Sequence, residues 1–441
     1  LNMDRLIFVL TVSLFGCRAA VADPPRDWPC LGGSPSRNAV NFTETNLSEQ
    51  PHAKWMAKLG SRSHGGPVIA TGRVFVGTNN SPGPDQSRLL CFRETDGQLL
   101  WKRATDKLPD PTANDWPRIG ICSTPFVEGD RLWYVTNRCE VACLNVQDGG
   151  VVWSFDMIGK LKVQPHRMSA SSPVVAGDAV FVVTGNGWDG DHTEIPAPDA
   201  PSFLALDKTT GRVLWHDKSP GRDIIHGQWG SPAYGELAGR TQVIFPGGDG
   251  KLYSFEPKTG KPLWKFDCNP KGIDAENKNF PIAAPVIVGG RVYLGTGQNP
   301  EYADGPGDLW CLEPKAGGQV TVVWHVGGVG KFGRTVSSCA IHDGLLYAGD
   351  LAGFVYCFDA KTGAKQWDYD TKAHVWASPL WADGKVYLGT EAGELFFFRH
   401  GRAAKLLAKT DLGAPILAST AAANGVLFVM TATHLHALIR K

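Results

Sequence analysis

Leu204-Ala205-Leu206-Asp207-Lys208-Thr209-Thr210-Gly211-Arg212-Val213-Leu214-Trp215 is the stretch that decides the fold. Apolar residues alternate up to Asp207, the period of a half-buried strand. Thr210-Gly211 supplies a turn, because glycine takes positive φ without a Cβ clash. A second strand follows and ends on a large aromatic. The same string recurs from Ser254 to Trp264 and from Cys357 to Trp367, with looser copies from Cys91 to Trp101 and from Cys143 to Trp153. Internal repeats at this spacing mark a solenoid, a propeller or an array.

Each copy is preceded by a second hairpin. Pro67-Val68-Ile69, a Thr71-Gly72 turn and Val74-Phe75-Val76-Gly77 form the first, and Pro125, Pro173, Pro232, Pro285 and Pro379 open five more. Cys339 and Thr420 take the proline's place ahead of Asp343-Gly344 and Asn424-Gly425, dipeptides that favour tight hairpins. Two hairpins give four antiparallel strands, which is a propeller blade. The repeats predict an all-β fold, a β-propeller of about eight blades. The last blade runs out at Leu438 with three strands, while Ala53-Lys54-Trp55-Met56 stands alone before the first. That N-terminal strand is expected to close the last blade, which leaves fewer exposed edges. The blade opened by Pro379 has Leu406 or Leu407 where tryptophan is expected, and extra residues separate Gly317 from Trp324.

Ala205, Asp207, Thr210, Gly211 and Trp215 resemble the tryptophan-docking motif of pyrroloquinoline-quinone-like (PQQ-like) propellers. The resemblance implies that these tryptophans pack blade against blade. It also implies two functional branches, between which fold does not choose. One holds quinoprotein alcohol dehydrogenases, with the quinone and Ca²⁺ at the propeller centre. The other holds non-enzymatic members, such as the propeller lipoprotein of the outer-membrane barrel-assembly machinery.

Length and charge narrow the field. The 441 residues carry a net charge of +1, which lacks the electrostatic footprint of a nucleic-acid or anionic-membrane binder. Arg5 and the apolar run Leu6 to Phe15 read as a signal peptide over residues 1–22, cleaved after Ala20-Val21-Ala22. An arm over 23–50 and the propeller over 51–441 follow. The protein is expected to be exported, to the periplasm or beyond. Leu14-Phe15-Gly16-Cys17 resembles a lipobox, so Cys17 offers the one route to membrane attachment.

Cys91, Cys143, Cys311 and Cys357 repeat at one strand position and read as packing. Cys122 and Cys139 flank a hairpin, and a disulfide between them is expected in an oxidising compartment.

Function is less legible. Long insertions at Asn79–Ser87, Asn186–Ser202 and Gln298–Asp308 gather on the face that carries the loops leading into each inner strand. Arg62, Arg118, His166, Arg167, His226, Arg334 and His374 lie in those approach loops, and Trp229 and Trp376 occupy matching places in Trp-Gly-Ser-Pro and Trp-Ala-Ser-Pro. One reading is a cationic, aromatic-rimmed funnel for an anionic ligand; the other is solvated loop charge with packing tryptophans. The acidic loop Asp189 to Glu194 lacks the ligand spacing of an EF-hand and reads as a solvated insertion. No metal site and no catalytic residue stand out, and no Cys-Cys pair or Cys-x-x-Cys-His haem site is present. The favoured expectation is an exported scaffold that needs no cofactor and binds a protein partner or an anionic small molecule. The alternative is a PQQ- and calcium-dependent dehydrogenase.

Overall fold

The computed structural model describes residues 27–108, 118–299 and 305–440. The signal-peptide cleavage region and Cys17 lie outside them. Among the described residues eight sheets stand around one axis, seven of them built on four consecutive antiparallel strands and the eighth on three C-terminal strands and one N-terminal strand. Blade 3 shows the pattern, with Val174–Ala176 innermost, then Ala179–Val183, Phe203–Asp207 and Val213–Asp217 outermost. Blade 8 joins Ala421–Ala423, Val426–Met430 and His434–Ile439 to the N-terminal strand His52–Lys58. The ring is thereby closed within one sheet. One short α-helix, Met157–Leu161, interrupts the β architecture among the described residues.

In every blade the register slips once between the third and fourth strands, as at Ala205/Leu206 opposite Trp215/Val213. Such a bulge re-aims the next side chain. Here it turns the tryptophan toward the following blade. The Nε1–H of Trp215 donates to the Pro257 carbonyl at 2.8 Å, and Trp55, Trp101, Trp153, Trp324 and Trp367 make the same bond to their own next blades. Each indole of Trp55, Trp101, Trp153, Trp215 and Trp324 also covers the turn glycine of the next blade. A Cβ on Gly211 would stand 2.5 Å from Cε3 of Trp153, so the glycine is required by contact as well as by its φ of 71°. Trp264 is the exception. The neighbouring turn is lengthened at Lys315 to Gln319, and the indole donates instead to Oε1 of the buried Gln242 in its own blade, at 2.7 Å.

The register also settles the blade that lacks a tryptophan. Ala408, not Leu406 or Leu407, pairs at the docking position, because Leu407 is the bulged residue. Opposite the tryptophans stand small partners: Cys91, Cys143, Ala205, Ser254, Cys311, Cys357 and Ala437. Opposite Ala408 stands Phe397. Cross-strand neighbours share one face of the sheet. The large and small residues have therefore exchanged strands there, so the pair still combines one bulky ring with one small side chain.

All nine described cysteines are free thiols, and the expected Cys122–Cys139 disulfide is not formed. Cys122 turns toward the axis beside Ile119 and Met168, whereas Cys139 is packed in the core shared by blades 2 and 3. The hairpin brings the chain ends together but sends the two side chains into different layers.

The N-terminal arm reaches every blade. Trp28 pairs with Ile69 of blade 1, and Pro29 accepts from Val127 of blade 2. Arg37 donates to Ser172 and Pro173 at blade 3, and Pro35 accepts from Tyr234 of blade 4. Ser36 accepts from Ile287 of blade 5, and the Asn38 amide bonds both ways with Ile341 of blade 6. Val40–Asn41 then pairs in parallel with Trp381–Ala382 of blade 7, and Asn41 donates to Ala422 of blade 8. An innermost strand is a sheet edge whose backbone groups need partners. The arm supplies them and closes one end of the channel.

Candidate functional site

The channel that remains is a cavity of about 150 Å³ on the axis. The residue at or before each opening proline sets its wall. The Oγ1 of Thr124 accepts from Gly66, Ser172 Oγ from Thr124, and Ser231 Oγ from Ser172, each at 2.9 Å. Ser378 and Ser419 repeat the relay at 3.0 Å. The hydroxyls thus stitch successive blades together. Between them lie Met168, Ile282, Leu417 and Leu31 of the arm. Trp229 and Trp376 present their rings to the cavity, held by Nε1 bonds to the His166 carbonyl (3.1 Å) and to Glu391 (2.9 Å). His64 completes the wall, its ring 5.3 Å from that of Trp376. Burial, with Arg62 beside it, holds the His64 imidazole down at about 4.

The described lining holds no carboxylate, lysine or arginine. Calcium is bound by carboxylate and carbonyl oxygens, and a tricarboxylate quinone calls for cationic partners. The cavity wall does not fit that pair.

The charged residues expected to form the funnel stand outside the cavity in separate groups. Arg62 and Arg118 meet at the junction of blades 1 and 2, where the Arg62 carbonyl accepts from Gly120 and the Arg118 carbonyl accepts from Ser61. Asp85 accepts from the Arg118 backbone at 3.0 Å. Arg334 lies over Gly305, and its carbonyl accepts from Leu351 at 2.9 Å, while the Leu351 carbonyl accepts from Nδ1 of His374.

The third group is the densest. His166 and His226, buried at the approaches to blades 3 and 4, stack edge-on with ring centroids 4.4 Å apart. His192 joins them from the Asn186–Ser202 insertion, 4.5 Å from His226 and 5.0 Å from His166. Trp229 packs beneath His166 and His226, and Arg167 reaches Nε2 of His192 at 3.2 Å. Burial first, then the neighbouring His166, His192 and Arg167, pushes His226 down to about 3. The three rings can each offer one nitrogen, all within 4.8 Å of one another. Sequence reasoning named two of these histidines but left His192 in a solvated loop. The third showed no signal along the chain, because the insertion folds back through a Pro165–Asn186 bridge. Two similar bridges, Phe280–Gly297 and Pro306–Gly333, tie approach loops to insertions on the same face.

Residues 85–310 and 305–438 match the family model described as outer membrane protein assembly factor BamB. Among curated proteins, BamB of Shewanella oneidensis is 22% identical over 393 residues, covering 78% of this chain and 88% of that protein. Polyvinylalcohol dehydrogenase of Sphingopyxis sp. is 25% identical over 361 residues, covering 72% of this chain, which spans only 47% of that enzyme. The crystal structure of BamB from Moraxella catarrhalis superposes with a TM-score of 0.66 at 13% identity, over 89% of this chain and all (100%) of that one. Quinohemoprotein alcohol dehydrogenase from Comamonas testosteroni gives 0.67 at 12% identity, over 94% and 80%. At these identities the structural likeness is one of fold.

Proposed function

Because the chain belongs to the family described as outer membrane protein assembly factor BamB, we propose that it is an exported, non-catalytic propeller scaffold of the cell envelope. Its insertion-bearing face takes an anionic small molecule or an acidic segment of a partner protein. The observation that carries this reading is the division of chemistry between cavity and rim. The axis is walled by apolar groups and by hydroxyls engaged in the backbone relay, and the arm closes one end. Arg62 and Arg118 are exposed on the approach loops, and Arg167 and Arg334 are half-buried there. Arginine suits carboxylates because its planar fork donates two parallel hydrogen bonds.

Calorimetry with acidic peptides, on wild type and Arg62→Ala/Arg334→Ala, tests the proposal. Binding in wild type that weakens at least tenfold in the double variant is the expected result. Equal affinity in both would remove the rim from the binding surface.

A PQQ-dependent dehydrogenase is the alternative; two indoles face the cavity, but its uncharged wall counts against the quinone and Ca²⁺. Titration with the quinone and Ca²⁺ separates the readings. Saturable uptake at one equivalent, lost in Trp229→Ala/Trp376→Ala, would favour the enzyme.

A further inference from the structure

We propose that His166, His192 and His226 form a binding site for a divalent transition metal of the Zn²⁺ class. Three imidazoles converging with an open fourth position are a standard ligand set for such ions. No carboxylate belongs to the cluster, which disfavours Ca²⁺ and Mg²⁺, both takers of oxygen ligands. Imidazole suits Zn²⁺, Cu²⁺ and Ni²⁺.

The surroundings hold the ligands in place before any ion arrives. The Nδ1–H of His166 donates to the Trp188 carbonyl at 2.8 Å, which puts the ring lone pair on Nε2. A backbone carbonyl on the far nitrogen is the usual partner of a metal-binding histidine. Nδ2 of Asn299 sits 2.8 Å from Nε2 of His226 and donates to it; with the amide turned over, its oxygen accepts from Nε2–H and Nδ1 carries the lone pair a metal needs. Trp188 also donates from its backbone to the His226 carbonyl at 3.2 Å and from Nε1 to Ile224 at 2.8 Å, clamping the insertion onto the blade 4 approach. Gly187 allows that closeness, since a Cβ there would come within 2.7 Å of the His166 Cβ. Among the described residues, Arg167 is a positive group beside the cluster. It is half-buried and donates to Nε2 of His192 at 3.2 Å, a bond that must break for that nitrogen to take a metal.

The test is Zn²⁺ calorimetry on the metal-stripped full chain, with Co²⁺ absorption as the geometric readout. Wild type is expected to bind one equivalent and to give the intense visible band of four-coordinate Co²⁺. His192→Ala removes a ligand on a surface insertion and is expected to bind about 100-fold more weakly or not at all. His192→Cys, which keeps a ligand at that place, is expected to restore binding, with a thiolate-to-Co²⁺ charge-transfer band. Arg167→Gln lifts a like charge and is expected to bind at least as tightly as wild type. Wild-type affinity in His192→Ala, or loss only in a His434→Ala control at the separate His434–His436 pair, would overturn the site. Weaker Zn²⁺ binding in Arg167→Gln would also overturn it, because removing a like charge cannot weaken a site where the cation sits beside Arg167.

Discussion

The Nε–H of Arg37 donates to the Pro232 carbonyl at 2.8 Å, joining two residues 195 positions apart in the chain. The same guanidinium donates to Ser172 (2.8 Å), Pro173 (2.9 Å) and Leu31 (3.2 Å), so one buried side chain fastens the arm to blades 3 and 4. Burial lowers its pKa to about 10, opposed by Cys30, and the group stays charged at neutral pH.

Arg37→Ala leaves four carbonyls without their donor. Relief of the buried charge offsets part of that, and a net loss of about 2–3 kcal/mol is expected. Arg37→Lys should recover little, since an ammonium cannot span the fork. Urea denaturation and limited proteolysis of the arm measure the effect. A change under about half a kcal/mol, the size of a surface substitution, would mean the arm is held by its backbone bonds alone.

Trp215→Ala is expected to cost about 3–5 kcal/mol, the range for truncating a buried aromatic. Trp215→Phe keeps most of the ring over Gly260 and loses chiefly the bond to Pro257, so about 1 kcal/mol is expected. Chemical denaturation of both variants separates packing from hydrogen bonding. Equal losses would show that the indole N–H, rather than the ring, is what docks.

Stability should fall on acidification below the ordinary histidine range. His436 is buried in blade 8, and burial, with His434 beside it, holds its pKa down at about 4. Above about 6.5 the group is neutral in both folded and unfolded chains. As pH falls toward 4 the unfolded chain takes up a proton that the folded chain refuses, so stability is lost across that window. Urea midpoints at high and low ends of the window should differ less for His436→Gln than for wild type. An unchanged difference would place the pH sensitivity elsewhere.

The hairpin strings were enough to give the blade count, the closing strand and the docking tryptophans, because those features depend on alternation and turn chemistry within about 50 residues, the reach of one repeat. Where the sequence misled, the reason was register. The bulge before each docking position is set by how two strands pair, so the slot at Ala408 and its exchange with Phe397 could be seen only across the sheet. The Cys122–Cys139 bridge failed for a related reason. Adjacent backbone does not fix which layer a side chain enters.

The site divides along the same line. Sequence alone determined which residues the approach loops carry: arginines, histidines and two tryptophans at matching repeat positions. Only the tertiary structure decided what they form. Ring closure put the tryptophans on the axis and left the arginines on the rim, and the arm turned an open channel into a blind cavity. Long-range folding brought His192 from an insertion to His166 and His226. Contacts between residues far apart in the chain depend on where whole blades and insertions come to lie, and no local pattern records that.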